Sequence, residues 1–106
     1  MNPIHDLSPE EVAQGLADDT ILLVDVREPH ELAMARIPDA VNVPLSSFDP
    51  GAIPEPAGKR VVFLCAAGVR SIKASEMAQA AGLPYDAHLE GGIRAWAMAG
   101  YDFERG

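Results

Sequence analysis

The chain has one cysteine among its 106 residues, so no internal disulfide can stabilise it. Basic residues are also few, since 8 lysines and arginines stand against 16 aspartates and glutamates, a formal net charge of −8. This acidity argues against nucleic acid or an anionic membrane as the main partner. No apolar run reaches the about 20 residues of a membrane span, and Met1–Leu7 lacks the basic start and apolar run of a secretory signal. These absences predict a cytoplasmic protein without membrane partners.

The apolar content is sufficient for one packed core. Hydrophobic residues make up 48% of the chain and charged residues 23%, which is ordinary for a globular protein. The length predicts a single domain over residues 1–106, with a compact monomer as the simplest expectation. The proline-rich segment Asp49–Gly58 has only about 50 residues on either side. It is therefore interpreted as a surface loop and not as a linker between domains.

Local signals predict alternating helices and strands. Ser8 can cap a first helix, Pro9 fits its first position, Glu11 completes a capping box, and the helix should end near Asp18–Asp19. Nearly continuous apolar runs predict strands that are buried on both faces, as in a parallel sheet. The predicted strands are Ile21–Val26, Ala40–Val43, Val61–Leu64 and Tyr85–Leu89, and the later helices are Glu28–Met34, one from Arg70 or Ser71, and one after Gly91 and Gly92. This alternation indicates an α/β fold with a largely parallel sheet.

Cys65 stands where such a fold forms its sites, at the carboxyl end of the predicted central strand and just before a helix. Backbone N–H groups of the short loop to Arg70, together with the helix N-terminus, can direct positive charge at the sulfur. Gly68 permits a backbone conformation that a side chain would hinder, and Arg70 and Lys73 bring positive charge. Each feature favours the thiolate, which is the nucleophilic form of cysteine.

Three segments in matching order and spacing resemble the rhodanese homology domain. They are Leu23–Leu32 continuing through Arg36–Leu45, the loop Cys65–Ser71, and Leu89–Trp96 followed by Gly100. The resemblance implies a rhodanese-like α/β fold, with a five-stranded, mostly parallel sheet flanked by helices on both faces. It also implies sulfurtransferase activity without a metal or an organic cofactor.

The resemblance assigns the chemistry to Cys65. Its thiolate would take a sulfane sulfur from thiosulfate, a persulfide or a polysulfide, and pass it from a Cys65 persulfide to cyanide or a thiol. The expected partners are therefore small sulfur donors and thiol acceptors, including a thiol-carrier protein. The expected substrate-binding and anion-binding loop consists of Ala66, Ala67, Gly68, Val69 and Arg70, and the expected supporting residues are Asp25, Arg27 and Ser71.

Several interpretations stay open at the level of single residues. Asp25 either braces the cysteine loop, for example by contacting Arg70, or forms a local salt bridge with Arg27 at a solvated strand end. Arg36 either adds to the anion field or faces solvent. The three histidines, His5, His30 and His88, lack the spacing of a metal site or of a Cys-His pair, and are interpreted as surface or hydrogen-bonded residues.

The same cysteine loop is compatible with functions other than sulfur transfer. Many family members that use thiosulfate carry a charged or hydroxyl residue in the loop, whereas this chain has Ala66 and Ala67, which predicts weak use of thiosulfate. Related phosphatases have a loop one residue longer, which argues against a phosphatase or an arsenate reductase. A persulfide carrier or sensor that acts only with a protein partner would use the same Cys65. An inactive interaction domain fits poorly with an intact cysteine loop.

Overall fold

A five-stranded parallel sheet forms the centre of the computed structural model, which describes residues 2–105. In chain order the elements are β1 (His5–Leu7), α1 (Pro9–Ala17), β2 (Ile21–Asp25), α2 (Pro29–Leu32), β3 (Ala35–Arg36), β4 (Val41–Asn42), β5 (Arg60–Leu64), α3 (Arg70–Ala80), β6 (Ala87–Leu89), α4 (Gly92–Met98) and β7 (Glu104–Arg105). The sheet order is β1-β6-β5-β2-β4, and every neighbouring pair is parallel. The predicted fold class is thus confirmed, with β5 as the central strand.

The predicted elements are all present, but several are shorter than predicted. The strand predicted over Ala40–Val43 is Val41–Asn42, the one over Tyr85–Leu89 is Ala87–Leu89, and the helix over Glu28–Met34 is Pro29–Leu32. The sequence pattern missed the edge strand β1, in which only Leu7 is buried, and the small antiparallel pair β3 and β7. Such short strands carry too few residues for a periodic signal, so only their pairing partners define them.

The first helix begins as its sequence predicts. Ser8 Oγ accepts a hydrogen bond from the Glu11 backbone N–H at 3.1 Å, and the Glu11 carboxylate accepts one from the Ser8 N–H at 3.0 Å. Leu7 and Val12 are buried in the same apolar cluster on either side of this cap. The capping box therefore links β1 to α1 at a defined angle.

The alternation of side chains along the strands separates two apolar layers. Val62 and Leu64 of β5 pack with Val12 of α1 and Trp96 of α4 on one face of the sheet. On the other face, Val61, Phe63 and Cys65 pack with Ala74 and Ala78 of α3. Helices therefore cover both faces, and the period of two along β5 directs the Cys65 side chain under α3.

The proline-rich segment follows the outside of the sheet as predicted, with one 3-10 turn at Pro50–Ala52. Its Ile53 side chain is buried in the apolar layer below α3, which anchors the loop. Among residues 2–105, no helix is both long enough and apolar enough to cross a lipid bilayer.

Candidate active site

Cys65 lies directly after the central strand, at the carboxyl edge of the sheet. Its side chain is fully buried, and α3 begins at Arg70, one of the two positions predicted for its start. Gly68 has a φ of +91°, a left-handed conformation that L side chains rarely adopt. This glycine lets the loop turn back over the sulfur within six residues.

Hydrogen bonds converge on the Cys65 sulfur. The Gly68 backbone N–H donates to Sγ at 3.1 Å, and Ser71 Oγ lies 3.5 Å from Sγ. Burial alone would raise the pKa of the Cys65 thiol, but hydrogen bonds from the Ser71 side chain and from the Ser71, Ala67 and Gly68 amides outweigh it and lower the pKa. The site therefore favours the thiolate, although no cationic side chain of residues 2–105 hydrogen-bonds to the sulfur.

The turn at Gly91 and Gly92 and the start of α4 hold the cysteine loop through backbone hydrogen bonds. The Ile93 N–H donates to the Cys65 carbonyl at 2.8 Å, and the Arg94 N–H donates to the Ala66 carbonyl at 3.2 Å. A Cβ at Gly92, whose φ is +63°, would overlap the Cys65 carbonyl oxygen and the Ala66 carbonyl group. This close backbone contact explains why glycine is needed at the start of α4.

Arg70 forms a bidentate ion pair with Glu31 of α2, with both N–O distances 2.8 Å. The Arg70 guanidinium lowers the pKa of Glu31 to about 2, and Glu31 in turn raises the pKa of Arg70. The suggested contact between Asp25 and Arg70 is therefore wrong. Glu31, which the sequence analysis did not single out, takes that position because α2 crosses beside the loop.

Asp25 pairs instead with Arg27, in agreement with the local salt bridge considered as the alternative. Arg27 Nη2 and Nε donate to the carboxylate at 2.9 and 3.1 Å, and Nη2 also donates to the Ala35 carbonyl at 2.8 Å. The strand end is not solvated, however, because Asp25 is fully buried and Arg27 is 4% exposed. Arg36 pairs with Glu104 at 2.9 Å on the surface, where both side chains are about half exposed.

Two further residues connect to the cysteine through Ser71. Ser71 Oγ lies 2.8 Å from His88 Nδ1, and His88 Nε2 lies 2.6 Å from Asp6 Oδ1. His88 is 2% exposed, so its interpretation as a hydrogen-bonded histidine is correct. Its link to Cys65 was missed because it runs through Ser71, which only the packing of α3 against β6 brings to His88. The alternation of side chains along β6 could have indicated it. His88 and Leu89 point to opposite faces of the sheet, so a buried Leu89 on one face places His88 on the other, which α3 covers.

Within the described part of the chain, no three histidine, cysteine, aspartate or glutamate side chains are grouped so that they could hold a metal ion. The fold and the site together define an α/β domain that presents a buried, hydrogen-bonded cysteine at the carboxyl end of its central parallel strand.

Comparison with known proteins agrees with this class. The model of the rhodanese-like domain family matches residues 8–99. A sulfurtransferase of Allochromatium vinosum is 36% identical over 98 residues, which cover 92% of each chain. An uncharacterised protein of Synechocystis is 39% identical over 94 residues, 89% of this chain and 52% of that protein, so this chain spans about half of its length.

The crystal structure of a rhodanese-related protein from Thermoplasma volcanium has the same fold. It superposes with a TM-score of 0.80 at 29% identity, over 94% of this chain and 97% of that one. The chain belongs to the rhodanese-like domain family.

Proposed function

We propose that this protein is a sulfurtransferase that carries a sulfane sulfur on Cys65 as a persulfide. The observation that carries the proposal is the convergence of the Gly68 N–H and the Ser71 hydroxyl on a buried sulfur. These groups favour a thiolate, and the same donors can stabilise the negative charge of a persulfide. The named sulfurtransferase of A. vinosum, which this chain matches over nearly its full length, supports the same activity.

The proposed reaction has two steps. The Cys65 thiolate attacks the outer sulfur of a donor, the donor's S–S bond breaks, and the leaving group departs with the bonding electron pair. With thiosulfate the leaving group is sulfite, and with an organic persulfide it is a thiolate. An acceptor such as cyanide or a thiol then attacks the outer sulfur of the Cys65 persulfide and restores the thiolate. No electrons are gained or lost overall, so neither step needs an external oxidant.

The loop favours a donor of low charge over thiosulfate. Ala66 and Ala67 offer only methyl groups, and Val69 offers an exposed apolar side chain. The charge of Arg70 is already balanced by Glu31 at 2.8 Å. Because the described loop residues 66–70 leave only backbone N–H groups to bind a doubly charged anion, the physiological donor is proposed to be an organic persulfide or organic polysulfide and the acceptor a cellular thiol.

A second candidate function is a persulfide carrier or sensor that acts only with a protein partner. It is favoured by Val69, which is 74% exposed in the loop itself, and by Met34, which is 76% exposed after α2. Exposed apolar side chains of this kind suit contact with a partner protein that carries a thiol. Turnover with small donors and acceptors alone would argue against this candidate.

Residues 1–106 are proposed to act as one rhodanese domain and as a monomer. A reducing compartment such as the cytoplasm keeps a lone thiol free, and this suits a cysteine that must be a thiolate between cycles.

Intact-protein mass spectrometry tests the proposal directly, because Cys65 is the only cysteine of the chain. After treatment with thiosulfate or with polysulfide, we expect a gain of one sulfur, about 32 Da, that disappears on addition of cyanide. Cys65→Ser should gain nothing. If wild-type protein gains no sulfur from any sulfane donor, the proposed activity is wrong.

A further inference from the structure

Four side chains form a continuous hydrogen-bonded line from the buried sulfur to the protein surface. The strand register places Asp6 of β1 beside His88 of β6, and His88 beside Phe63 of β5, two residues before Cys65. All of these side chains point to the face covered by α3, whose first turn contributes Ser71. The successive distances are 3.5 Å from Cys65 to Ser71, 2.8 Å from Ser71 to His88 and 2.6 Å from His88 to Asp6.

The hydrogen-bonded line is buried at its cysteine end and exposed to solvent at its aspartate end. Cys65 and Ser71 are fully buried and His88 is 2% exposed, whereas the Asp6 side chain is 58% exposed. Water can therefore reach the carboxylate but not the imidazole or the hydroxyl. The protons along the line must satisfy the side chains themselves.

Counting donors shows what each state of the sulfur requires. An ionised Asp6 only accepts, so His88 Nε2 must carry a proton. If the imidazole is neutral, Nδ1 accepts the Ser71 hydroxyl proton, and Ser71 can then only accept from a Cys65 thiol. If Cys65 is a thiolate, Ser71 must donate to the sulfur, and Nδ1 must then donate to Ser71. The thiolate therefore fits an imidazolium, and the thiol fits a neutral imidazole.

We propose that Ser71, His88 and Asp6 form a proton relay that receives the proton of Cys65, a role that rests on the proposed use of Cys65 as a sulfur nucleophile. The Cys65 Sγ–H bond breaks as Ser71 Oγ takes that proton and passes its own hydroxyl proton to His88 Nδ1. The products are a thiolate and an imidazolium, whose charge the Asp6 carboxylate balances. His88 acts through Ser71 and does not touch the substrate, so it is a positioning residue.

Three described elements pack against β6 and bring side chains to His88. From β1 it faces Asp6, from α3 it faces Ser71, and β5 contributes Phe63 and, at its end, Cys65. Asp86, just before β6, lies 3.7 Å from the exposed His5. Asp6 and Cys65 are thus the titratable partners expected to shape the protonation of His88.

The test compares the thiolate of Cys65 in wild-type protein, His88→Gln and a control, His30→Gln. Glutamine can still bond to Ser71 and Asp6 but cannot take up a proton, whereas His30 is exposed on α2. The rate of iodoacetamide alkylation and the ultraviolet absorbance of the thiolate are measured against pH. Subtracting the absorbance of Cys65→Ser at each pH removes the contribution of the two tyrosines. We expect His88→Gln to need about one pH unit more for half ionisation, and so to react about tenfold more slowly near neutral pH. His30→Gln should match wild type.

A second measurement leaves His88 in place and compares wild-type protein with Cys65→Ser. The ¹⁵N NMR signals of the His88 ring in wild-type protein should shift from neutral imidazole to imidazolium as Cys65 becomes a thiolate, and this coupled shift should vanish in Cys65→Ser. An unchanged alkylation profile in a folded His88→Gln, or a His88 ring whose signals ignore the state of Cys65, overturns the relay.

The two proposals fail in different ways. If Cys65 takes up sulfur but its ionisation does not depend on His88, the relay is wrong and sulfur transfer stands. If the ionisation depends on His88 but no donor loads sulfur, the relay is present and the proposed function is wrong.

Discussion

Arg70, the last residue of the cysteine loop, is held by Glu31 through two hydrogen bonds of 2.8 Å. This pair connects the start of α3 to α2, although Arg70 and Glu31 are 39 positions apart in the chain. It also occupies the one arginine that the loop could have offered to an anionic substrate. We therefore expect the ion pair to affect stability and, under the proposed function, the choice of sulfur donor.

The first prediction concerns stability and pH. The pKa of Glu31 is about 2 in the folded protein and about 4.3 in an unfolded chain. The ionised pair therefore stabilises the fold fully at pH values above about 4.3. Glu31→Gln should lower the free energy of unfolding by about 1–2 kcal/mol at neutral pH, after allowance for solvent screening. The difference from wild type should shrink as the pH falls from about 4.3 to 2. Urea unfolding at several pH values measures it.

Glu55→Gln is the matched control, because Glu55 is exposed in the proline-rich loop. It should differ from wild type by less than about 0.5 kcal/mol at every pH. A Glu31→Gln protein as stable as the control would show that the ion pair contributes nothing to folding.

The second prediction concerns the choice of sulfur donor. Ala67 is exposed in the loop and has no group that binds an oxyanion. Ala67→Lys should lower the KM for thiosulfate about fivefold, since one favourable charge contact at a surface is worth up to about 1 kcal/mol. It should change loading by an organic persulfide or organic polysulfide much less, because these donors carry less charge. Steady-state kinetics with cyanide as acceptor measure both. Ala52→Lys adds the same charge in the exposed turn Pro50–Ala52, outside the cysteine loop. An equal effect of Ala52→Lys would mean that net charge, and not a contact in the loop, lowers the KM.

The third prediction concerns the contact between the two loops of the site. Gly92→Ala combines a left-handed φ with overlap against the Cys65 carbonyl, and should cost about 3–5 kcal/mol and abolish sulfur loading. Gly82 also has a positive φ, of +87°, but no atom of residues 2–105 lies within 4 Å of the Cβ that alanine would add, so Gly82→Ala should cost about 1–2 kcal/mol with loading retained. Thermal unfolding and intact mass measure the two effects. Equal losses would mean that backbone strain, and not steric overlap, decides.

The fourth prediction concerns the buried pair at the end of β2. Asp25→Asn leaves the Arg27 guanidinium buried without a countercharge, so the free energy of unfolding should fall by about 3–5 kcal/mol. Arg36→Gln breaks a surface pair with Glu104 and should cost less than about 1 kcal/mol. Chemical denaturation compares them. If Asp25→Asn lowers the free energy of unfolding no more than Arg36→Gln does, then water reaches Arg27 and the buried pair does not stabilise the fold.

Much of the architecture follows from short-range signals in the sequence. The capping box of Ser8 and Glu11 and the apolar run of β5 act between residues close in the chain, so they predict α1, β5 and the position of Cys65 at a strand end. The end of β5 before the cysteine loop and the start of α3 near Arg70 also follow from the local sequence pattern. The six-residue spacing from Cys65 to Arg70 is likewise a property of the sequence alone.

The partners of the charged and polar side chains were decided only by the tertiary structure. Asp25 had two candidate partners in the sequence, and the crossing of α2 resolved them by bringing Glu31 to Arg70. Asp6 and His88 are 82 positions apart, and only the pairing of β1 with β6 makes them neighbours. Hydrogen bonds act over about 3 Å, so they depend on strand register and on helix crossing. Those long-range arrangements are set by burial across the whole chain, which no local segment of the sequence contains.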